Sequence, residues 1–391
     1  MTDLADVADI NPRIEREQID LTEMASFVGM ANVSEESGSI TTEEVRPLVD
    51  LLKGFTPFID GDILVAKITP CFENGKIVHA RISRRQGFGS TEFHVLRPQA
   101  EKLDNRYLFH FLRQPHIRIE GERRMTGSAG QRRVPRAFLE KLQIPLPTLP
   151  EQRRIAAILD KADALRAKRR EAIAKLDQLL QAVFLDMFGD PESNPRNWPL
   201  KSLEYLCDPQ DRVNYGVVQP GAEFLGGVPV IRVGDIDGGN LDASSIKRID
   251  PSIESAYGRS RLKGNELLIS CVGSIGIVAA VPNSAIGFNI ARAITRVPLA
   301  KPKDRTFVQQ CLLTPALQRY FKEKTRTVSQ PTLNVEFVKA AKILDPPPAL
   351  VGKYCQVVAD VDGLKRNLLN SSDGIERNFS SIQQRAFAGT L

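Results

Sequence analysis

The chain of 391 residues is 42% hydrophobic and 26% charged, the balance of a soluble globular protein, and at roughly 150 residues per domain it has room for two or three domains. A net charge of +6 and an isoelectric point near 9.0 permit an acidic partner such as DNA without requiring one. No apolar run reaches membrane-helix length and no signal peptide is expected. The five cysteines (Cys71, Cys207, Cys271, Cys311, Cys355) are odd in number and widely spread, with no CxxC. They fit a reducing cytoplasm, not a disulfide scaffold or a zinc site.

In chain order, FVGMANV (27–33) alternates as a strand, and GDILVAKI (61–68) is an apolar, β-branched run after a glycine turn. Around 103–120 the period becomes helical, and a polar loop follows, MTGSAGQRRVP (125–135). From 150 to 187 there is neither glycine nor internal proline, which predicts one unbroken helix. The pattern then starts again. VPVIRVGDI (228–236) and GNELLISCV (264–272) are strand-like, 303–324 is helical, and RTVSQPTLN (326–334) is a polar loop.

This is an internal repeat. At an offset of 199, Arg106 falls on Arg305, Gln131 on Gln330, Phe138 on Phe337, Leu165 on Leu364 and Phe188 on Phe387. With small insertions, GFGSTEFHVLRP (87–98) lies over GFNIARAITRVP (287–298), and IPLPTLPEQ (144–152) over LDPPPALVG (344–352). Each half is about 145 residues of mixed structure followed by a helix of about 40. The class is α+β (α/β-like).

The first long helix has a possible capping box, Thr148 to Glu151, with Pro150 tolerated in its first turn. Ile155, Ile158, Ala162, Leu165, Ala172, Leu176, Leu179 and Val183 fall at a 3–4 heptad spacing interrupted by Arg169, which argues for a coiled-coil seam. The second copy repeats the register with Tyr354, Val357, Val361, Leu364, Leu368, Ile375 and Ile382. Gly352, Gly363 and Gly374 weaken it, each costing about 1 kcal/mol of helix propensity. The simplest arrangement packs the two helices antiparallel, with a pseudo-two-fold relation between two similar modules. A helix over 150–187 would be ~57 Å long. That is roughly 17 base pairs of B-DNA, so modules at its ends could read two separated half-sites.

The segment IPLPTLPEQRRIAAILDKADALRAKRREAIAKLDQLLQAVFLDMFGD (144–190) resembles the central conserved region of specificity (S) subunits of type I restriction-modification enzymes. The repeated GDIL/GNEL strands and the polar Gln-containing loops look like that family's target recognition domains. The resemblance covers the whole chain: a recognition domain over 1–147, a central spacer helix over 148–190, a second recognition domain over 191–347 and a distal helix over 348–391. The distal helix departs from the pattern, with ALVGKYCQ where the first has an EQRRIA start.

The resemblance implies a non-catalytic, cytoplasmic DNA-specificity subunit. Each recognition domain would read half of a bipartite site in double-stranded DNA. The helices would set the spacing and dock two methyltransferase (M) subunits, with restriction (R) subunits joining the larger complex. S-adenosylmethionine would then belong to the M partner, and ATP with Mg to the R partner. Two other readings compete. One is a self-contained DNA methyltransferase or nuclease, which S-adenosylmethionine binding by the isolated chain would favour. The other is a coiled-coil protein adaptor, which the absence of salt-sensitive DNA binding would favour.

Residues 113–136 hold seven arginines (113, 118, 123, 124, 132, 133, 136) against Glu120 and Glu122, and 313–335 holds Arg319, Lys322, Lys324 and Arg326 against Glu323. Each basic run leads into a polar loop. Arginine suits phosphate and guanine O6/N7, while Gln and Asn can pair with adenine. Candidate base contacts are therefore Gln131, Arg132, Arg133, Ser329, Gln330 and Asn334. Candidate phosphate contacts are Arg84, Arg85, Arg123, Arg124, Lys324 and Arg326, which position without specifying.

Catalytic motifs are not recognisable. DPPP (345–348) lacks the aromatic residue of an amino-methyltransferase D-P-P-Y motif and reads as a helix-entry turn. GFGSTEF lacks a P-loop lysine, and no G-x-G-x-x-G follows a strand. His79, His94, His110 and His116 have no metal-ligand spacing and read as surface or satisfied polar positions.

Overall fold

The computed structural model describes all residues except 14–19, 21, 129, 238, 242–245, 302–303, 328–329 and 391, with the side chains of 237, 240, 327, 370–378 and 380 also outside the description. Two compact units result: Met1–Ala172 with Leu368–Leu391, and Ile173–Asn367. Among the described residues no helix is long and apolar enough to cross a membrane.

Unit 1 is built on a four-stranded antiparallel sheet in the order Ala8–Ile10, Phe93–Pro98, Ile63–Ala66, Ile77–His79. All four residues of Ile63–Ala66 are buried, because both faces of the sheet are covered. Ile63 and Val65 face the helical layer, where Tyr107, Phe109 and Ile117 pack. Leu64 and Ala66 face the opposite way, into a core with Val28, Phe58 and Val95. A second sheet follows there, Glu44–Pro47, Met24–Val28, Gly87–Gly89, Thr56–Phe58, with 24–28 and 87–89 parallel. Gly87 is required at that join, since a Cβ would stand 2.5 Å from the Phe58 ring. The helical stretch expected over 103–120 is two helices, Asn105–Leu112 and Pro115–Arg123, because Pro115 lacks the N–H to continue the first and starts the second.

Unit 2 repeats this connectivity. Its four-stranded sheet runs Asn214–Tyr215, Ile294–Pro298, Glu266–Ser270, Val278–Ala280. A smaller sheet again contains one parallel pair, Val228–Ile231 with Asn289–Ile290. Helices Arg305–Leu312 and Pro315–Glu323 cover the four-stranded sheet, the second again beginning on proline.

The first long helix is Leu149–Phe188 and the second Pro348–Ala388. Gly352 and Gly363 do not break the second, and a Cβ at either would touch nothing within 4 Å. Within unit 1, Ile155, Ala156 and Leu159 of the first helix share a core with Phe379 and Ala386 of the second. Within unit 2, Leu180, Phe184 and Phe188 meet Tyr354, Val358 and Val361. The Tyr354 hydroxyl donates to Leu180 O at 3.2 Å, and Lys365 pairs with Asp177. Numbers rise on one helix as they fall on the other, so the two segments run antiparallel there.

The expected heptad seam needs correction. Leu165, Leu179 and Leu364 are 51%, 48% and 55% exposed. Ile158, Ala162, Leu176, Val357 and Leu368 are half-buried, while Ile155 and Val361 are buried. The buried stripe includes Leu159, Leu180, Phe184 and Val358, all outside the predicted seam. Each helix segment buries the face that meets its own globular layer as well as its partner helix, and that wider contact sets the frame. Ile375 lies outside the described side chains.

Candidate nucleic-acid interface

Three segments far apart in sequence are tied together at the end of the central sheet in unit 1. Lys67 N donates to Glu92 O at 2.9 Å, Val134 N to Lys67 O at 2.9 Å and Thr69 N to Arg132 O at 2.9 Å, with Ile68 bridged to Arg133. The central strand's end thus sits between the turn at 90–92 and the polar loop. That loop closes on itself as a hairpin, Thr126 N and Arg133 N exchanging bonds with each other's carbonyls at 3.0 and 2.8 Å. Gly127, at φ +118°, permits the tight return, since a Cβ there would lie 2.8 Å from Gln131 O.

Unit 2 contains the same ladder. Cys271 N donates to Ala293 O at 2.7 Å, Leu333 N to Cys271 O at 2.9 Å and Gly273 N to Pro331 O at 3.0 Å, with Val272 bridged to Thr332. The hairpin is Arg326–Thr327 paired with Pro331–Thr332. In both units an exposed glutamine, Gln131 or Gln330, lies immediately before the residue that accepts from the strand end.

The other candidates divide. Arg133 is held by Glu92 through two bonds of 2.9 and 2.8 Å, and its Nη1 donates to Gln131 O at 3.0 Å. The Arg132 guanidinium donates to Glu122 O at 2.7 Å. Both therefore brace the hairpin. Asn334 caps the helix Val335–Ala340, its Oδ1 accepting from Glu336 N at 3.0 Å, so that oxygen is already used. Ser329 lies outside the described residues.

Among the candidate phosphate contacts, Arg123 is exposed with no side-chain partner among the described residues. Arg124 pairs with Glu120 at 2.7 Å and lies 5.7 Å from the Phe138 ring centre. Lys324 occupies the matching place in unit 2, 5.8 Å from the Phe337 ring. Lys324, Arg326, Gln330 and Asn334 line one groove of about 360 Å³ with Thr332, Glu336 and Phe337. Arg84 and Arg85 are exposed on a different turn, where Ser83 and Ile82 are tied to Glu43 and Asp60.

The basic run 113–136 is largely neutralised: Arg113 pairs with Asp163 and Arg136 with Glu140, in addition to the pairs above. Charge alone does not distinguish a DNA surface here. The ladder supplies hydrogen-bonded backbone beneath exposed side chains.

Three of the four histidines are buried. His94 braces the hairpin: its Nε2 donates to Val134 O at 2.9 Å and its Nδ1 faces the Asn11 amide at 3.2 Å. Burial pushes its pKa down, consistent with a neutral ring protonated on Nε2. His110 donates to Asp160 at 2.7 Å, and Arg106 joins the same carboxylate. Burial pushes Asp160 up, but the hydrogen bonds from His110 and Arg106 prevail and hold it at about 2. Together with buried Gln152, which donates to Lys102 O and Pro147 O and accepts from Asp104 N, these contacts fasten the first long helix to unit 1. Sequence reasoning missed Gln152, Asp160 and Glu92; the EQRRIAAILDKAD string was the available signal for the first two. Among the described residues no cluster of His, Cys, Asp or Glu could hold a metal.

Each unit is an α+β module with a hairpin hydrogen-bonded to the end of its central sheet and with segments of both long helices packed in its core. Residues 1–175 match the family described as Type I restriction modification DNA specificity domain. Over part of its length the chain is therefore similar to type I restriction-modification specificity subunits. It is 37% identical over 202 residues to the EcoEI type I restriction enzyme specificity subunit of Escherichia coli, covering 50% of this chain and 34% of that one. It is 27% identical over 321 residues to the EcoBI specificity subunit of the same organism, covering 75% and 67%. The first of these matches thus spans about a third of its relative's length. Among solved structures, one described as "Structural basis underlying complex assembly and conformational transition of the type I R-M system" shares the fold, with a TM-score of 0.57 at 19% identity, covering 100% of this chain and 97% of that one.

Proposed function

We propose that the chain is the non-catalytic subunit that gives a type I restriction-modification complex its DNA sequence specificity. Residues 1–147 and 191–347 act as target recognition domains, each reading one part of a bipartite duplex site. The helical segments 148–190 and 348–391 carry the surface for methyltransferase subunits, and restriction subunits join that assembly. The observation that carries this reading is the ladder repeated in both units, with Gln131 and Gln330 exposed at matching places on a chain whose residues 1–175 match a DNA specificity domain. Glutamine's amide can donate to adenine N7 and accept from its N6 amino group, and the ladder holds its backbone still. Exposed Lys161 and Lys168 on the first long helix suit a partner surface.

The test is methylation-sensitive sequencing of a genome carrying this gene and its methyltransferase partner. The expected result is one split motif, modified in both parts, that disappears when this gene is deleted. A modified motif that persists without this chain, or no motif, would overturn the reading.

A further inference from the structure

Arg292 was not singled out by its sequence, and it adjoins the unit 2 ladder. It directly precedes Ala293, whose carbonyl accepts from Cys271 N at 2.7 Å. Its own N–H donates to Val217 O at 2.8 Å, and Ala291 N donates to Ile231 O at 2.8 Å. The turn is therefore pinned on both sides by backbone bonds.

The side chain on this rigid turn is exposed, with no hydrogen bond or ion pair among the described contacts. Nearby arginines are committed elsewhere: Arg296 is fully buried between Asp211 and Glu266, and Arg305 donates to Gly264 O and Val281 O. An exposed arginine on a mobile loop would serve as a phosphate contact. One on a fixed turn can hold the planar geometry that a two-bond contact with a base needs.

We propose that Arg292 is a specificity-determining residue of unit 2 that takes guanine, its guanidinium donating to O6 and N7 in the major groove. This rests on the DNA-reading function proposed above. Arg292 and Gln330 are carried by segments on either side of the 271–273 strand end, two strand spacings apart, or roughly 10 Å. That is about three base pairs, so both fit within one part of a split site. Val218 on the adjoining loop is 39% exposed and offers an apolar neighbour suited to a thymine methyl.

Unit 1 differs at this place. Phe93 and Ile294 begin equivalent strands, which puts Thr91 where Arg292 stands and Glu92 where Ala293 stands. Glu92 is engaged with Arg133, and threonine cannot make the two-bond guanine contact. The two units thus present different chemistry on the same frame, as reading different sequences requires.

The experiment selects duplexes from a randomised library with the full chain in its methyltransferase complex, at two salt concentrations, for the parent, Arg292→Ala and Arg292→Lys. The expected result is a roughly five- to hundredfold loss of guanine preference at one base pair of one part in Arg292→Ala, the other part unchanged. Arg292→Lys should retain salt dependence while losing much of that preference. If Arg292→Ala weakens all sequences equally, or changes nothing, or if lysine restores the full preference, the assignment is wrong. A parent complex that selects no sequence at all would instead sink the DNA-reading function, and this assignment with it.

Discussion

Glu92 accepts two N–H groups of the Arg133 guanidinium, at 2.8 and 2.9 Å, while a third reaches the carbonyl of Gln131 at 3.0 Å. The hydrogen bond from Arg133, with its charge, holds the Glu92 carboxyl below its usual range despite partial burial. Arg133 is thus a strut beneath the hairpin tip. If so, Glu92→Gln and Arg133→Ala should blur the same part of the split site by a similar factor, read by library selection. Were Arg133 itself on DNA, only its removal would lower the salt dependence, and the two variants would diverge.

Gln131→Ala should cost about 1–3 kcal/mol against the preferred site and relax specificity in one part only. Arg123→Ala should weaken binding to all sequences alike and lower the slope of log affinity against log salt by about one. Blurring of both parts, or neither, by Gln131→Ala would contradict the placing of that hairpin on one part.

The burial pattern of the first long helix predicts an asymmetry between two leucines six residues apart. Leu165 is 51% exposed, so Leu165→Asp should change stability by no more than about 0.5 kcal/mol. Leu159 is fully buried, and Leu159→Ala should cost about 2–5 kcal/mol. Urea denaturation of the full chain measures both. A large loss in Leu165→Asp would restore the heptad seam.

Gln152 has three partners inside unit 1, at 2.8, 2.9 and 2.9 Å, and is fully buried. Gln152→Ala leaves backbone groups of Lys102, Asp104 and Pro147 without this partner, at about 1–3 kcal/mol for each that stays dry. Protease sensitivity near 145–160 should rise. Unchanged stability would mean that water replaces the side chain.

Acid should weaken the protein through His79. Burial, with the charges of Arg106 and Arg81, pushes its pKa down to about 4 from 6.5, although Asp60 and Asp160 oppose this, and its Nε2 has no partner. The folded state therefore binds the proton less readily than the unfolded one. The stabilisation is complete above pH 6.5 and is lost as pH falls towards 4, by up to about 1.4 kcal/mol per pH unit. His79→Leu should flatten that slope in denaturation curves at pH 7, 6 and 5. A slope unchanged by the substitution would assign the acid sensitivity elsewhere.

Local pattern alone determined the two-fold writing of the chain, the two long helices and the resemblance to type I specificity subunits, because apolar period, glycine placement and the 144–190 string are properties of neighbours along the chain. The same local reading pointed to polar loops at 125–135 and 326–334, which the structure folds as hairpins. It misjudged Leu165, Leu179 and Leu364, because a heptad count assumes that one partner helix sets the buried face, whereas here globular layers bury part of each helix too. It also treated the arginines of 113–136 as one basic patch. Arg133 and Arg113 are instead paired with Glu92 and Asp163, carboxylates tens of residues away in sequence. Only the folded chain brings Lys67, Glu92 and Val134 onto one ladder, and Cys271, Ala293 and Leu333 onto its twin. Those bonds join segments separated by long loops, so nothing in the spacing of residues announces them. That is why Arg292, unremarkable between two alanines in sequence, becomes a free guanidinium on a fixed turn only in the tertiary structure.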